Sequence, residues 1–266
     1  AWDRKLLIDA VRVAEGRGFE VLHGIVDSLW VKKEGATEKD YADLRSEIEE
    51  KTGFPLSFEG VYKWVVFLPS KVDAKVPVLN RYFGVYRDGE LKVRGIEARR
   101  HDTPLAFAEC QMKMLRVLAE ADSVEEAKTR VPKCVALFLR YAKALEHREV
   151  PTAELAFTTN LSKEPSEYRT MTVRNAALQG LVREGVKLHA GERVRYVIID
   201  YAGHASGRAV ALDLINGEVR YDSKRYIDLL ARACSSVLEP FDPDCTPENL
   251  VRRALVGELL GSSAFR

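Results

Sequence analysis

Apolar positions along this chain recur now at helical spacing, now at strand spacing, and the switches between the two predict most of its elements. Leu6, Leu7, Ala10, Val11 and Ala14 share a helical face that ends where Gly16 to Gly18 break the pattern, which predicts a helix over 3–16. Phe19 to His23 and Leu29 to Val31 read as two short strands around a hairpin-like connection at 24–28. Thr37 is placed to cap a charged helix that stops before Gly53, with Tyr41, Leu44 and Ile48 on its apolar side and its acids on a solvated face. Segments 57–69 and 80–96 are rich in aromatic and β-branched residues. Between Tyr86 and Leu91, Asp88-Gly89 supplies residues that tolerate positive φ, so a tight hairpin turn is expected there.

After Thr103-Pro104 the period becomes helical. Thr103 is expected to cap the free amides and Pro104 to occupy the first helical position. One helix uses Ala108, Met112, Leu115 and Leu118. A second opens at the capping box formed by Ser123 and Glu126, continues through Val131, Val135, Phe138, Ala142 and Leu145, and is ended by Pro151. A third runs from Val173 to Gly185 after a polar entrance at Thr158 to Leu161. Arg195 to Ile199 reads as a strand and Gly203 to Gly207 as a loop. Helices over about 224–238 and 247–260 close the chain, the latter capped by Thr246. The expected class is α+β, with a mixed front part over 1–102 and a mostly helical remainder over 103–266.

Composition narrows the function classes. At 266 residues, 46% hydrophobic and 30% charged, the chain can bury a core and is neither fibrous nor broadly disordered. Apolar stretches fall short of the roughly 20 residues of a spanning helix, so no membrane partner is expected. No apolar stretch follows Ala1-Trp2-Asp3-Arg4-Lys5, so no secretory signal is read there. The four cysteines, Cys110, Cys134, Cys234 and Cys245, form no C-x-x-C pair, and the five histidines are dispersed. A reducing, cytoplasmic setting is the expectation. The net charge is only +1, but Val61 to Asp102 holds nine Lys or Arg against five Asp or Glu, so the basic character is local.

Candidate chemistry follows from that distribution. There is no G-x-G-x-x-G, no P-loop continuation after Gly180 or Gly185, and the spacing of Gly203 to Gly207 does not suit a nucleophile elbow. Asp27 lies among Ile25, Val26, Leu29 and Trp30, where an unpaired carboxylate would be costly to bury. Two readings remain open for it: an Asx-type turn bonding nearby amides, or one ligand of a divalent cation whose other ligands come from elsewhere. Arg81-Tyr82-Phe83-Gly84 and Lys92 to Glu97, followed by Arg99, Arg100 and Asp102, put cations and aromatics on a sheet beside Gly95, which suits phosphate and sugar contacts. A solvated hairpin face is the alternative. Tyr168-Arg169 is a third candidate, against simple N-capping.

The order of these blocks resembles family B DNA polymerases of the archaeal type. Phe19 to Val31 is similar to the strand-turn-strand that carries Tyr-Gly-Asp-Thr-Asp-Ser in that family. Tyr62-Lys63 through Leu68-Pro69-Ser70-Lys71, then Arg81-Tyr82, is similar to the segment ending in Lys-Lys-x-Tyr. Arg94-Gly95-Ile96-Glu97-Ala98-Arg99-Arg100-His101-Asp102 resembles (Lys/Arg)-Gly-(Ile/Leu)-Glu-x-x-Arg-Arg-Asp. Glu167-Tyr168-Arg169, Val186 to Ile198, Tyr221-Asp222 to Tyr226-Ile227 and Leu238 to Phe241 look like the family's thumb.

That resemblance implies the C-terminal part of a palm over 1–102 and a thumb over 103–266. The fingers, the exonuclease domain and the palm strand with the other catalytic aspartate would lie before Ala1. It implies Asp27 as a metal-binding catalytic aspartate and Mg2+ as the cofactor, with two ions bound between two palm carboxylates. Lys63, Arg81, Tyr82, Arg94, Gly95, Arg99, Arg100, Tyr168 and Arg169 are implied as contacts to primer-template DNA. The implied partners are a larger N-terminal polymerase portion or subunit, the DNA, and dNTP through the assembled site. A sliding-clamp contact through Glu258 to Arg266 competes with a frayed helix end.

The departures weigh against full activity. Ile25 stands where the family has its first motif aspartate, Val26 where it has Thr, and Asn80 where it has the Lys of Lys-x-Tyr. An inactivated homologue that binds DNA or acts as a scaffold is therefore the rival reading. An unrelated interaction domain with a solvated basic hairpin is the third.

Overall fold

A computed structural model describes residues 2–25, 28–70 and 77–261. The chain divides into two compact units: residues 1–61 with 77–79, and residues 62–76 with 80–266. The expected boundary at 102–103 thus falls within the second unit.

In the first unit, helix α1 (Trp2–Gly16) is followed by strands β1 (Glu20–Ile25) and β2 (Ser28–Lys32) and helix α2 (Glu38–Thr52). The strands pair antiparallel, Gly24 opposite Leu29 and Ile25 opposite Ser28, with an irregularity between Val21 and His23. Thr37 begins α2 as its pattern predicts: Asp40 N–H donates to the Thr37 hydroxyl, and the Asp40 carboxylate accepts from the Thr37 amide. Ala10, Ala14, Phe19, Leu44 and Ile48 bury the facing apolar sides of these elements.

In the second unit, β3 (Tyr62–Pro69), β4 (Pro77–Tyr86) and β5 (Leu91–Arg94) form one sheet in that order, the first residues of β4 grouping with the first unit. Helices α3 (Leu105–Ala119) and α4 (Val124–Glu146) follow. Strand β6 (Phe157–Asn160), helix α5 (Val173–Arg183), and strands β7 (Arg193–Ile198) and β8 (Ala209–Ala211) come next, then α6 (Ser223–Leu238) and α7 (Pro247–Gly261). Trp64 of β3 meets Phe83 of β4 and Phe241 edge-on, at centroid distances of 6.3 and 5.9 Å, and its indole N–H donates to the Ala121 carbonyl at 2.9 Å. One continuous apolar cluster joins this sheet to α3, α4, α6 and α7. A smaller one lies between α5 and the sheet of β6, β7 and β8.

The class is therefore α+β, with antiparallel strands and flanking helices. Three local expectations change. Thr103 does not cap α3; Pro104 holds the N-cap position, and its carbonyl accepts from Phe107 and Ala108. Thr158 to Asn160 are strand rather than a helix entrance, because β6 pairs with β7, Thr158 opposite Arg195. The 86–90 hairpin needs only one positive φ, at Gly89, and forms a three-residue loop: Tyr86 N–H donates to Glu90, and Gly89 N–H to Tyr86. Among the described residues no helix is long and apolar enough to cross a membrane.

Candidate nucleic-acid interface

The basic hairpin is positioned by a pivot at Gly95. In the ladder, Tyr82 lies opposite Arg94, Phe83 opposite Val93 and Gly84 opposite Lys92, and Phe83 and Val93 are buried in the core. Gly95 adopts φ +65°, and a Cβ there would stand 2.0 Å from the Asn80 carbonyl oxygen. That closeness turns the chain out of β5 and into a short 3-10 turn at Glu97–Arg99, while Ile96 is fully buried beneath it. Arg94 and Arg99 emerge on either side of the pivot. Both are exposed, and neither has an ion-pair partner among the described residues.

Three other candidate cations, Arg81, Arg100 and Lys63, are engaged by neighbouring groups. Arg81 donates from Nε to the Gly95 carbonyl at 3.3 Å and lies 4.0 Å from Glu97, with its side chain mostly covered. Tyr82 is 7% exposed, its ring 5.6 Å from that of Phe67. Arg100 grips Asp102 with two bonds, 2.9 and 2.6 Å. The side-chain bond holds the Asp102 carboxyl below its usual range and raises the Arg100 pKa. Lys63 is paired with Asp122 at 2.7 Å, across 59 residues of chain, and that bond lowers the Asp122 pKa.

Beneath this surface lies a polar network that sequence reasoning missed. Gln111 of α3 has 0% exposure, yet its carbonyl oxygen accepts from Ala98 N–H at 2.6 Å. Its amide nitrogen, with two hydrogens to give, lies within bonding distance of the Glu97 carboxylate (3.0 Å), the Ala233 carbonyl and the Ser236 hydroxyl (3.3 Å). The Ser236 hydroxyl is itself 3.0 Å from the same Glu97 oxygen. The available signal was a single amide in the apolar stripe of Phe107, Cys110, Met114, Leu115 and Leu118.

A second cationic group surrounds Tyr168. Its hydroxyl accepts from the Ser162 amide at 3.1 Å and lies 3.4 Å from the Ser162 hydroxyl; the side-chain bond holds the phenol pKa below its ordinary value. Lys163 and Arg174 each lie 5.0 Å from the Tyr168 ring centroid, a cation on an aromatic face. Arg169 is exposed beside them. An open groove of about 370 Å³ adjoins this group, lined by Tyr168, Asn175, Gln179 and Arg183 among others. A further stack escaped the sequence reading: Arg225 lies 3.9 Å from the Tyr201 ring and Arg208 lies 5.9 Å from it.

Asp27, the expected metal ligand, lies outside the described residues. Among the described residues no group of three or more His, Cys, Asp or Glu could hold a metal ion. One carboxylate supplies too few oxygens to hold magnesium, so Asp27 would need ligands from elsewhere. Ile25 ends β1 half-buried, and Asn80 is exposed on β4.

Comparison with known proteins adds the following. The family model described as DNA polymerase family B matches residues 3–241. A DNA polymerase of Archaeoglobus fulgidus is 29% identical over 215 residues, covering 81% of this chain and 26% of that protein. DNA polymerase 2 of Aeropyrum pernix is 29% identical over 228 residues, covering 86% of this chain and 26% of that protein. The structure of the family B DNA polymerase from Pyrobaculum calidifontis matches with a TM-score of 0.62 and 29% identity, over 90% of this chain and 29% of that one. The chain thus spans about a quarter of the length of these two curated relatives.

Proposed function

The chain belongs to family B of the DNA polymerases, and we propose that it serves as the C-terminal palm and thumb portion of such an enzyme, active when joined by a larger portion carrying the other palm carboxylate. Residues 1–102 would complete the palm and 103–266 form the thumb. The observation that carries the reading is the pair of unneutralised guanidiniums, Arg94 and Arg99, flanking a backbone pivot that only glycine fits. Two cations held apart by a rigid turn suit adjacent phosphates, and phosphate contacts set register without reading sequence.

In this proposal Arg94, Gly95 and Arg99 follow the duplex near the primer end, with Arg81 and Tyr82 bracing the turn from behind. Arg100 and Lys63 reach the backbone by exchanging Asp102 and Asp122 for phosphate. Tyr168 and Arg169 add contacts farther along the thumb. Asp27 is the residue proposed to share Mg2+ with the partner's carboxylate, and the bound metal would supply charge stabilisation for phosphoryl transfer from dNTP.

A second reading is favoured by Ile25, which puts hydrocarbon where the family has a carboxylate, and by Asn80, which lacks the family's charge: a DNA-binding scaffold that no longer polymerises. Mixing the chain with the larger portion of an archaeal family B enzyme, then measuring primer extension and gel shift together, separates the two. Magnesium-dependent extension supports the first reading. Duplex binding without nucleotide incorporation supports the second. Absence of any salt-sensitive binding contradicts both, because phosphate neutralisation releases counterions.

A further inference from the structure

Gln111 has no exposure, so it meets neither solvent nor DNA, yet it is the hub that ties the basic turn to α3 and α6. Its carbonyl fixes the Ala98 amide inside the 3-10 turn, and its amino group reaches Glu97 of that turn together with Ala233 and Ser236 of α6. Glu97 in turn faces Arg81, which also bonds the Gly95 carbonyl. The donors and acceptors admit only one orientation of the amide. Ala98 N–H requires the oxygen, while the Ala233 carbonyl and the Glu97 carboxylate require the nitrogen. A methionine of similar volume would fill the space without these demands, so packing by itself does not call for glutamine here.

We propose that Gln111 is a positioning residue for nucleic-acid binding: it fixes the Gly95–Arg100 turn against α3 and α6 so that Arg94 and Arg99 are held at a spacing matched to a duplex backbone. This rests on the reading that the hairpin face meets primer-template DNA. Removing the amide leaves both guanidiniums present and exposed but frees the turn to shift, so contacts are lost in number as well as strength. The salt dependence of binding counts those contacts, and a merely structural role would not move it while the protein stays folded.

The test is fluorescence anisotropy of a labelled primer-template duplex with the full chain, titrated between about 50 and 200 mM salt. Wild type, Gln111→Met, Gln111→Glu, Arg99→Ala and Gln111→Met/Arg99→Ala are compared at a temperature where near-ultraviolet circular dichroism shows each folded. Gln111→Met is expected to weaken binding about fivefold and to reduce the slope of log K against log salt by about one unit, as Arg99→Ala does. Gln111→Glu, which sets a carboxylate against Glu97, is expected to weaken it at least as much. The double variant should lose less than the sum of the two single losses, because both act on one contact. If the Gln111 variants do not fold, Ser236→Ala, which removes one support of Glu97, is expected to show a smaller loss in the same direction. Wild-type binding with unchanged slopes in every folded Gln111 or Ser236 variant overturns the positioning role and leaves the proposed function standing. Failure of the wild type to bind duplex DNA overturns the proposed function itself.

Discussion

Replacing Gly95 with alanine isolates the pivot on which the candidate interface turns. Two costs apply. At φ +65° an alanine carries the left-handed penalty of about 1 kcal/mol. Its Cβ would also meet the Asn80 carbonyl oxygen at 2.0 Å, about 1 Å inside the shortest tolerable contact, with Arg81 Cγ at 3.0 Å. Because the obstacle is backbone, β4 and the turn must separate, and overpacking of this kind adds about 2 kcal/mol. The sum is about 3 kcal/mol. Gly89→Ala is the internal control: φ is +91° there, but nothing lies within 4 Å of the added carbon, so only the conformational cost of about 1 kcal/mol applies. Urea unfolding followed by Trp64 fluorescence reports on the second unit once Trp2 and Trp30 are replaced by phenylalanine. A Gly95→Ala loss no larger than that of Gly89→Ala would refute the steric argument, and with it the claim that the turn is rigid.

Other consequences follow from the ion pairs and the thiols. Asp122→Asn frees Lys63 and is expected to tighten duplex binding and steepen its salt dependence by about one unit, checked by the same anisotropy titration. Asp102→Asn should do the same through Arg100. Its stability cost is about 0.5 kcal/mol, since the pair is half-exposed. The folded-state pKa of Asp102 is depressed, so this contribution is present above the unfolded value of 3.8 and is lost as pH falls through the lower folded value. Urea midpoints of wild type and Asp102→Asn should therefore differ at neutral pH and converge in strong acid. All four cysteines are buried, and burial pushes the Cys134 thiol up to about 12 and Cys245 to about 11. A thiol reagent at pH 8 is expected to label none in the native protein and four after unfolding, and rapid native labelling of any would contradict the buried core.

Features fixed within a few residues were legible in the sequence. The Thr37 cap, the Ser123 cap accepting from Glu126 N–H, the Thr246 cap accepting from Asn249 N–H and the hairpin about Gly89 each depend on neighbours at most four positions apart. The short strands β6 and β8 were not, because four and three residues carry little periodicity and are strands only by pairing with β7. The start of α5 shows the same conflict: Thr172, not the threonines at 158 and 159, accepts from Asn175 N–H. In the candidate site, the sequence placed the cations but not their availability. Lys63 meets Asp122 59 positions later, and Gln111 meets Ser236 125 positions later, separations that no local pattern encodes. Arg81 reads like Arg94 in sequence, yet β4 aims it at Gly95 and Glu97, whereas Arg94 at the end of β5 stays exposed.

The central claim is that this chain supplies one carboxylate, from Asp27, to a catalytic centre shared with a larger polymerase portion. Its most direct test is the single-turnover primer-extension rate of the two portions mixed in magnesium, with Asp27 intact or replaced by alanine. The account predicts extension with the wild-type chain and a loss of at least about a thousandfold with Asp27→Ala, the scale of removing a group that holds the metal. Extension by the Asp27→Ala mixture at the wild-type rate would contradict it.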